Sequence, residues 1–256
     1  VKVRSFFLPR LVMASAAQGR TILCGFWYLI SKGRLGGPLP AILAIGLAWL
    51  LFPRDEALLA EIHRWPGPQD ALAERIAWLL GKGGDYPTYN LPLALVFWFY
   101  GVWKKSSGWR RIAVICFLGA TLAGGLDDCL RLTLGRPRPD AHMPDGFYGL
   151  PAAFYGRFES FPSGHAAAVF GTAMALIVTD FWLGVAATVF ALAVIWARLE
   201  LYRHYPSDVA VGSIIGICMG LLVGLGAKTH WRPWTRRAPL PSIPVPPPEK
   251  LQALGK

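Results

Sequence analysis

Three polar clusters interrupt an otherwise apolar chain. The first reads Arg131-Leu-Thr-Leu-Gly-Arg136-Pro-Arg138-Pro139, the second Ser160-Phe-Pro162-Ser163-Gly164-His165, and the third Arg198-Leu-Glu-Leu-Tyr-Arg203-His204-Tyr-Pro-Ser-Asp208. Guanidinium groups bind phosphate oxygens bidentately, and Arg131, Arg138 and Arg198 can together neutralise a phosphate dianion. Pro162-Ser163-Gly164 predicts a helix N-terminus, where free backbone N–H groups and the positive dipole end favour an anion. There Gly164 lets an oxygen approach the backbone, and Ser163 offers a hydroxyl. His204 precedes Asp208 by four residues, a spacing at which the carboxylate can hold one imidazole nitrogen protonated and leave the other nucleophilic. His165 remains to protonate a departing alkoxide. The set holds the parts of a metal-free phosphoryl transfer: a phosphate cradle, a nucleophile, an orienting carboxylate and an acid.

Each residue also has a plainer reading. Ser163 suits the N-cap of an apolar helix, and Asp208 suits the first turn of another. Arg131, Arg136, Arg138 and Arg203 suit headgroup anchors at a membrane edge. Two histidines and three arginines at these spacings on one side of a membrane favour the joint, catalytic reading. Asp127-Asp128 begins like a prenyl-diphosphate metal motif, but Arg131 stands where a third acid is needed, so these aspartates are expected to cap the helix or pair with Arg131. Glu200, Arg203 and Arg136 either tune headgroup choice or are solvated charges. His63, His142 and His230 have no partner at catalytic spacing and are expected at the surface. No carboxylate–histidine cluster has metal-ligand spacing, so neither a metal nor a cofactor is expected. Cys24, Cys116, Cys129 and Cys218 show no C-x-x-C spacing and read as small apolar residues.

The elements that must position these groups follow from composition. Of 256 residues, 54% are hydrophobic and 16% charged, and the mean hydropathy is +0.40. Such a balance excludes intrinsic disorder and an ordinary soluble domain. Apolar stretches at Gly36–Phe52, Pro87–Trp103, Ile112–Leu126, Gly164–Val178, Phe181–Ala197 and Val209–Ala227 predict an all-α bundle of six transmembrane helices over residues 36–227. A basic leader, residues 1–35, contains the apolar run Ile22–Ile30, too short to span and expected as an interfacial helix. Asp55–Asp85 has helical apolar spacing broken at Pro66-Gly67-Pro68, which predicts two short amphipathic helices with Trp65 and Trp78 near the interface. The Pro-rich tail, residues 228–256, is expected to be disordered. The loop Asp140–Phe161, rich in Phe and Tyr, is a candidate headgroup wall or an aromatic belt.

The charges orient this bundle. The leader, the Lys104–Arg111 turn, the Thr179–Asp180 turn and the tail hold 16 of the 26 basic and two of the 15 acidic residues, a net +14 that leaves −3 on the other side. Lys and Arg face the cytoplasm. Both termini are therefore expected inside, with all three polar clusters at the outer, periplasmic surface. The overall charge of +11 thus reflects topology, and nucleic acid is not an expected partner.

Arg131-x6-Arg138-Pro139, Pro162-Ser163-Gly164-His165 and Arg198-x5-His204-x3-Asp208 resemble, in order, spacing and location, the three signature motifs of the type-2 phosphatidic acid phosphatase superfamily. The resemblance covers roughly the second through sixth spans. Two positions depart from the usual pattern: Arg131 stands where the family usually has Lys, and Ala197 where it usually has Ser. Arg keeps the charge but changes the donor geometry. The resemblance implies a metal-independent lipid phosphate phosphatase of the bacterial inner membrane. His204 would form a phosphohistidine, Asp208 would orient it, and His165 would protonate the leaving group. Arg131, Arg138, Ser163, Gly164 and Arg198 would hold the phosphate oxygens. Candidate substrates are polyprenyl diphosphate, lipid A, phosphatidylglycerol phosphate and phosphatidic acid. A lipid phosphotransferase is the alternative enzyme; a headgroup-binding transporter or scaffold is the alternative of another class. Neither the oligomeric state nor the identity of the lipid follows from these motifs.

Overall fold

The computed structural model describes residues 7–31, 39–64, 71–84 and 86–229. Trp65, Pro66-Gly67-Pro68, His230 and the Pro-rich tail lie outside the described residues. Ten α-helices occur among the described ones: α1 (Phe7–Ser31), α2 (Leu39–Leu51), α3 (Asp55–Ile62), α4 (Ala71–Gly83), α5 (Leu91–Trp103), α6 (Ser107–Leu134), α7 (Leu150–Ala153), α8 (Gly164–Thr179), α9 (Phe181–Glu200) and α10 (Pro206–Thr229). Each of the six apolar stretches holds one α-helix, α5 being preceded by a π-helical turn at Tyr86–Asn90, and the Asp55–Asp85 region holds the two short helices expected of it. α6, α9 and α10 are long and apolar enough to cross a membrane. α2 and α5 have 13 residues and α8 has 16, fewer than the roughly 20 of a full span.

α8 is the central helix, packed by α6, α9 and α10, and Ala166 through Ala173 are all buried. Small residues allow this. Gly212, Gly216, Gly220 and Gly224 lie along α10, and a Cβ at each would fall 2.5–2.8 Å from a backbone oxygen of Ser163, Ala167, Gly171 or Ala175. On the other flank, Gly119 of α6 meets Gly171 in the same way. Close backbone approach through Gly at every fourth residue is the packing device of membrane helices. Ile45 and Trp49 of α2 and Trp103 of α5 are exposed, apolar surface suited to lipid.

The leader differs from expectation. Instead of a nine-residue interfacial segment, α1 is a 25-residue helix packed against α6 and α10. Its Ile22 is buried with Ile115, Ala175, Val223 and Ala227. Tertiary burial of one face extends the helix through residues whose mixed polarity hid it.

Candidate active site

The first cluster is shaped by how α6 ends. Gly135 adopts the left-handed conformation (φ 62°) and its N–H caps the Arg131 carbonyl, a common helix stop that glycine makes without strain. The chain then runs extended: Arg138 N–H donates to the Arg157 carbonyl (2.8 Å) and Ser160 N–H to that of Arg136 (3.1 Å). Arg131 thus stays on the last turn of α6 while Arg138 follows on the extended run. The Glu159 carboxylate lies between them, 3.5 Å from Arg131 and 3.6 Å from Arg138. Arg131 also pairs with Asp128 at 2.6 Å, as one reading of the Asp127-Asp128 pair expected. Asp127 does not pair: its carboxylate is buried with no hydrogen bond among the described residues.

Ser163 occupies the N-cap position of α8, yet its hydroxyl makes no capping bond. Among the described residues the buried Oγ has no hydrogen-bond partner, nor have the Nε groups of Arg131 and Arg138. Buried donors without acceptors are costly. Here they cluster at a helix N-terminus beside a glycine, which fits an anion. Arg198, from the last turn of α9, is 9% exposed. Gly81 of α4 sits against it, since a Cβ there would fall 3.4 Å from its Nη1. The Gly81 backbone also hydrogen-bonds the His165 ring. The His165 and His204 rings lie 6.3 Å apart between centroids. The structure therefore brings together all eight residues singled out in the sequence.

One role changes in detail. His204 Nδ1 bonds the Ser160 carbonyl at 2.8 Å, whereas the Asp208 carboxylate is 3.9 Å away, beyond hydrogen-bond reach. Asp208 instead accepts from Ser160 Oγ (2.6 Å), Tyr205 N–H (2.7 Å) and Arg136 (2.6 Å). Burial, followed by the charges of Arg198 and Arg138, holds the His204 imidazole well below the ordinary histidine value. It is therefore neutral at pH 7, the form in which one ring nitrogen keeps a lone pair. Burial also lowers Arg138 below its usual value, against the opposing charge of Glu159.

Arg136 is neither a headgroup anchor nor a solvated charge. It is fully buried and bonded to Asp55, Asp145 and Asp208. Burial opposes its charge, but those carboxylates more than offset the cost and hold its pKa above the ordinary value. His63 is not a free surface group either: it stacks on Tyr202 at 3.7 Å and bonds the Leu59 and Glu200 carbonyls. His142 is exposed, as expected. Within the aromatic loop Phe158 and Phe161 are buried, and Phe147, half-exposed, packs on Phe52 and Phe161 at 5.4 and 5.6 Å. Cys116 is buried, while Cys24 and Cys129 are exposed. Sequence reasoning missed Gly81, Glu159 and Asp55, and gave no role to Ser160, the first residue of the second cluster. Ser160 and Glu159 adjoin the second motif, but Gly81 and Asp55 reach the site only through tertiary packing.

Fold and site define an all-helical integral membrane protein whose polar centre gathers arginines and histidines around a helix N-terminus. Residues 112–232 match the PAP2 superfamily. A lipid A 1-phosphatase of Rhizobium etli is 32% identical over 199 residues, which is 71% of this chain and 80% of that protein. The chain belongs to the PAP2 superfamily. A lipid A 1-phosphatase of Rhizobium johnstonii is 32% identical over 120 residues, or 44% of this chain, and the match spans about half (47%) of that relative's length. The crystal structure of Aquifex aeolicus LpxE superposes with a TM-score of 0.46 at 23% identity, covering 66% of this chain and 93% of that one.

Proposed function

We propose that this protein is a lipid phosphate phosphatase that removes the 1-phosphate of lipid A or a closely related glycolipid, by way of a phosphohistidine. The observation that carries the reading is the gathering of Arg131, Arg138 and Arg198, beside the Ser163 hydroxyl and Gly164 at the start of α8, around two histidines whose rings lie 6.3 Å apart. The Rhizobium names supply the choice of lipid.

The Ser160 carbonyl engages Nδ1 of His204, so Nε2 carries the lone pair that attacks phosphorus. As the P–N bond forms, the P–O bond to the lipid breaks and the leaving oxygen takes a proton from His165. His165, now neutral, accepts a proton from water as the water oxygen attacks. The P–N bond breaks and phosphate leaves. The three arginines, Ser163 and the α8 N-terminus hold the equatorial oxygens throughout.

In this reading α2, α5, α6, α8, α9 and α10 each cross the bacterial inner membrane. Both termini are cytoplasmic and the site is periplasmic, supported by the +14 against −3 division of charge. Beside the site, an apolar cavity of about 870 Å³ between α2, α6 and α10, lined by Ala48, Phe52, Leu130, Phe161 and Ile215, suits the acyl chains. The test is phosphate release in detergent micelles across lipid A, phosphatidic acid, phosphatidylglycerol phosphate and undecaprenyl diphosphate. Fastest release from lipid A, abolished in His204→Ala, is the expected result. No release from any lipid, or transfer to a second lipid without free phosphate, would overturn the hydrolase reading.

A further inference from the structure

We propose that Arg136 and Asp55 are positioning residues for His204, so that a carboxylate from outside the three motifs sets the geometry of the attacking histidine. The inference rests on the reading of His204 as the nucleophile.

A guanidinium has five N–H donors in a fixed planar fork. In Arg136 all five are used. Nε donates to Asp145 Oδ1 (2.8 Å), and Nη2 to Asp145 Oδ2 (2.6 Å) and Asp55 Oδ2 (2.8 Å). Nη1 donates to Asp208 Oδ1 (2.6 Å) and Ser207 Oγ (2.8 Å). The faces of the fork are also covered: the ring centroids of Phe52 and Tyr205 each lie 4.2 Å from Cζ, within cation–π range. Position, plane and rotation of the group are thereby all determined.

Asp55 opens α3, directly after the first apolar helix and outside residues 112–232 that match the family. Its side chain is 1% exposed. Oδ1 accepts from Ser207 N–H at 2.9 Å, and Oδ2 accepts from Ser207 Oγ as well as from Arg136. Asp55 therefore fixes the first turn of α10 twice, once through Ser207 and once through Arg136.

From there the path to the histidine is short. Arg136 holds one oxygen of Asp208; the other accepts from Ser160 Oγ and Tyr205 N–H. Ser160 is the residue whose carbonyl bonds His204 Nδ1, and Tyr205 follows His204 in the chain. Asp208 thus holds the groups on both sides of the imidazole without touching it. The hub decides where Asp208 sits, and neither Arg136 nor Asp55 touches the phosphate-binding residues. Removing it misplaces the nucleophile and leaves the cradle of Arg131, Arg138 and Arg198 in place.

The test uses the full chain in detergent micelles, with lipid A as substrate and inorganic phosphate, the product, as the probe of the phosphate site. Asp55→Asn and Arg136→Lys are the variants of choice, because Arg136→Met would strand three carboxylates without their cation and threaten folding. Each is expected to lower kcat by about 10²-fold, the usual cost of a misplaced reacting group, with KM and the affinity for inorganic phosphate unchanged. Lysine keeps the charge but cannot serve Asp55, Asp145 and Asp208 together, so it is not expected to rescue turnover. Wild-type kcat in both variants would overturn the proposal. So would a parallel loss of kcat and inorganic phosphate binding, or loss of monodisperse protein in both, since either result marks a purely structural role. His204→Ala in the same assay tests the underlying reading separately. Turnover there removes the nucleophile, whereas an inactive His204→Ala beside a fully active Asp55→Asn removes only the positioning role.

Discussion

His204 Nδ1 is bonded to the backbone carbonyl of Ser160 at 2.8 Å, and Asp208 lies 3.9 Å from the same nitrogen. A carbonyl acceptor fixes the tautomer as surely as a carboxylate does, but brings no formal charge to stabilise an imidazolium. In the proposed mechanism Asp208 therefore acts through Ser160 and the Tyr205 peptide, from both of which its Oδ2 accepts a hydrogen bond.

Asp208→Asn is accordingly expected to lower kcat by about 10²-fold, less than the roughly 10⁴-fold seen where an aspartate bonds its histidine directly. Ser160→Ala keeps the carbonyl and loses one hydrogen bond to a charged group, worth roughly 1.5–3 kcal/mol when intact. A loss of about tenfold in kcat follows. Phosphate release from lipid A, measured alongside orthovanadate affinity, checks both; a wild-type rate for Asp208→Asn would leave that residue only its place in the first turn of α10.

The pH dependence follows from the burial of His204. Its pKa is lowered by burial first and by Arg198 and Arg138 next, so the neutral, attacking form persists below the ordinary histidine value of about 6.5. Since kcat/KM reports groups in the free enzyme, its acid limb is expected below pH 6.5. An acid limb centred at or above that value contradicts attack by the buried His204.

Gly212 tests the packing that brings the second and third motifs together. A Cβ there would fall 2.5 Å from the Ser163 carbonyl oxygen and 3.1 Å from its nitrogen, both backbone atoms that cannot swing aside. Gly212→Ala is expected to lower stability by about 1–3 kcal/mol, the usual cost of overpacking. It should also weaken orthovanadate binding, because Ser163 and Gly164 move with that turn. Thermal unfolding in detergent and vanadate titration measure the two effects.

Charge neutralisation in the proposed site comes from arginines. Phosphate release is therefore expected to survive EDTA and to fall with orthovanadate, which adopts the five-coordinate geometry of the transition state. Loss of activity on chelation, restored by a divalent cation, would contradict the mechanism.

Much of the site is legible in the sequence because its chemistry is local. Ser163, Gly164 and His165 are consecutive, and His204 and Asp208 stand one helical turn apart, so residue type and spacing suffice to place them. The glycine run 212, 216, 220 and 224 is equally local, and announces close packing of α10 before any partner is known. Arg136 shows the opposite case. Its sequence neighbours suit a membrane-edge cation as well as a buried hub, and only its distant partners Asp55 and Asp208 separate the two readings.

α1 follows the same division. Its apolar run is visible, but the 25-residue length depends on burial of Ile22 against α6, α8 and α10. What the chain determined by itself was the apolar periodicity of its helices and the identities of the proposed reacting groups, since hydrophobicity and residue chemistry are properties of single positions. What only the tertiary structure decided was which group each polar atom meets. A hydrogen bond is settled within a few tenths of an ångström, and the Asp55–Arg136–Asp208 chain joins residues more than 70 positions apart.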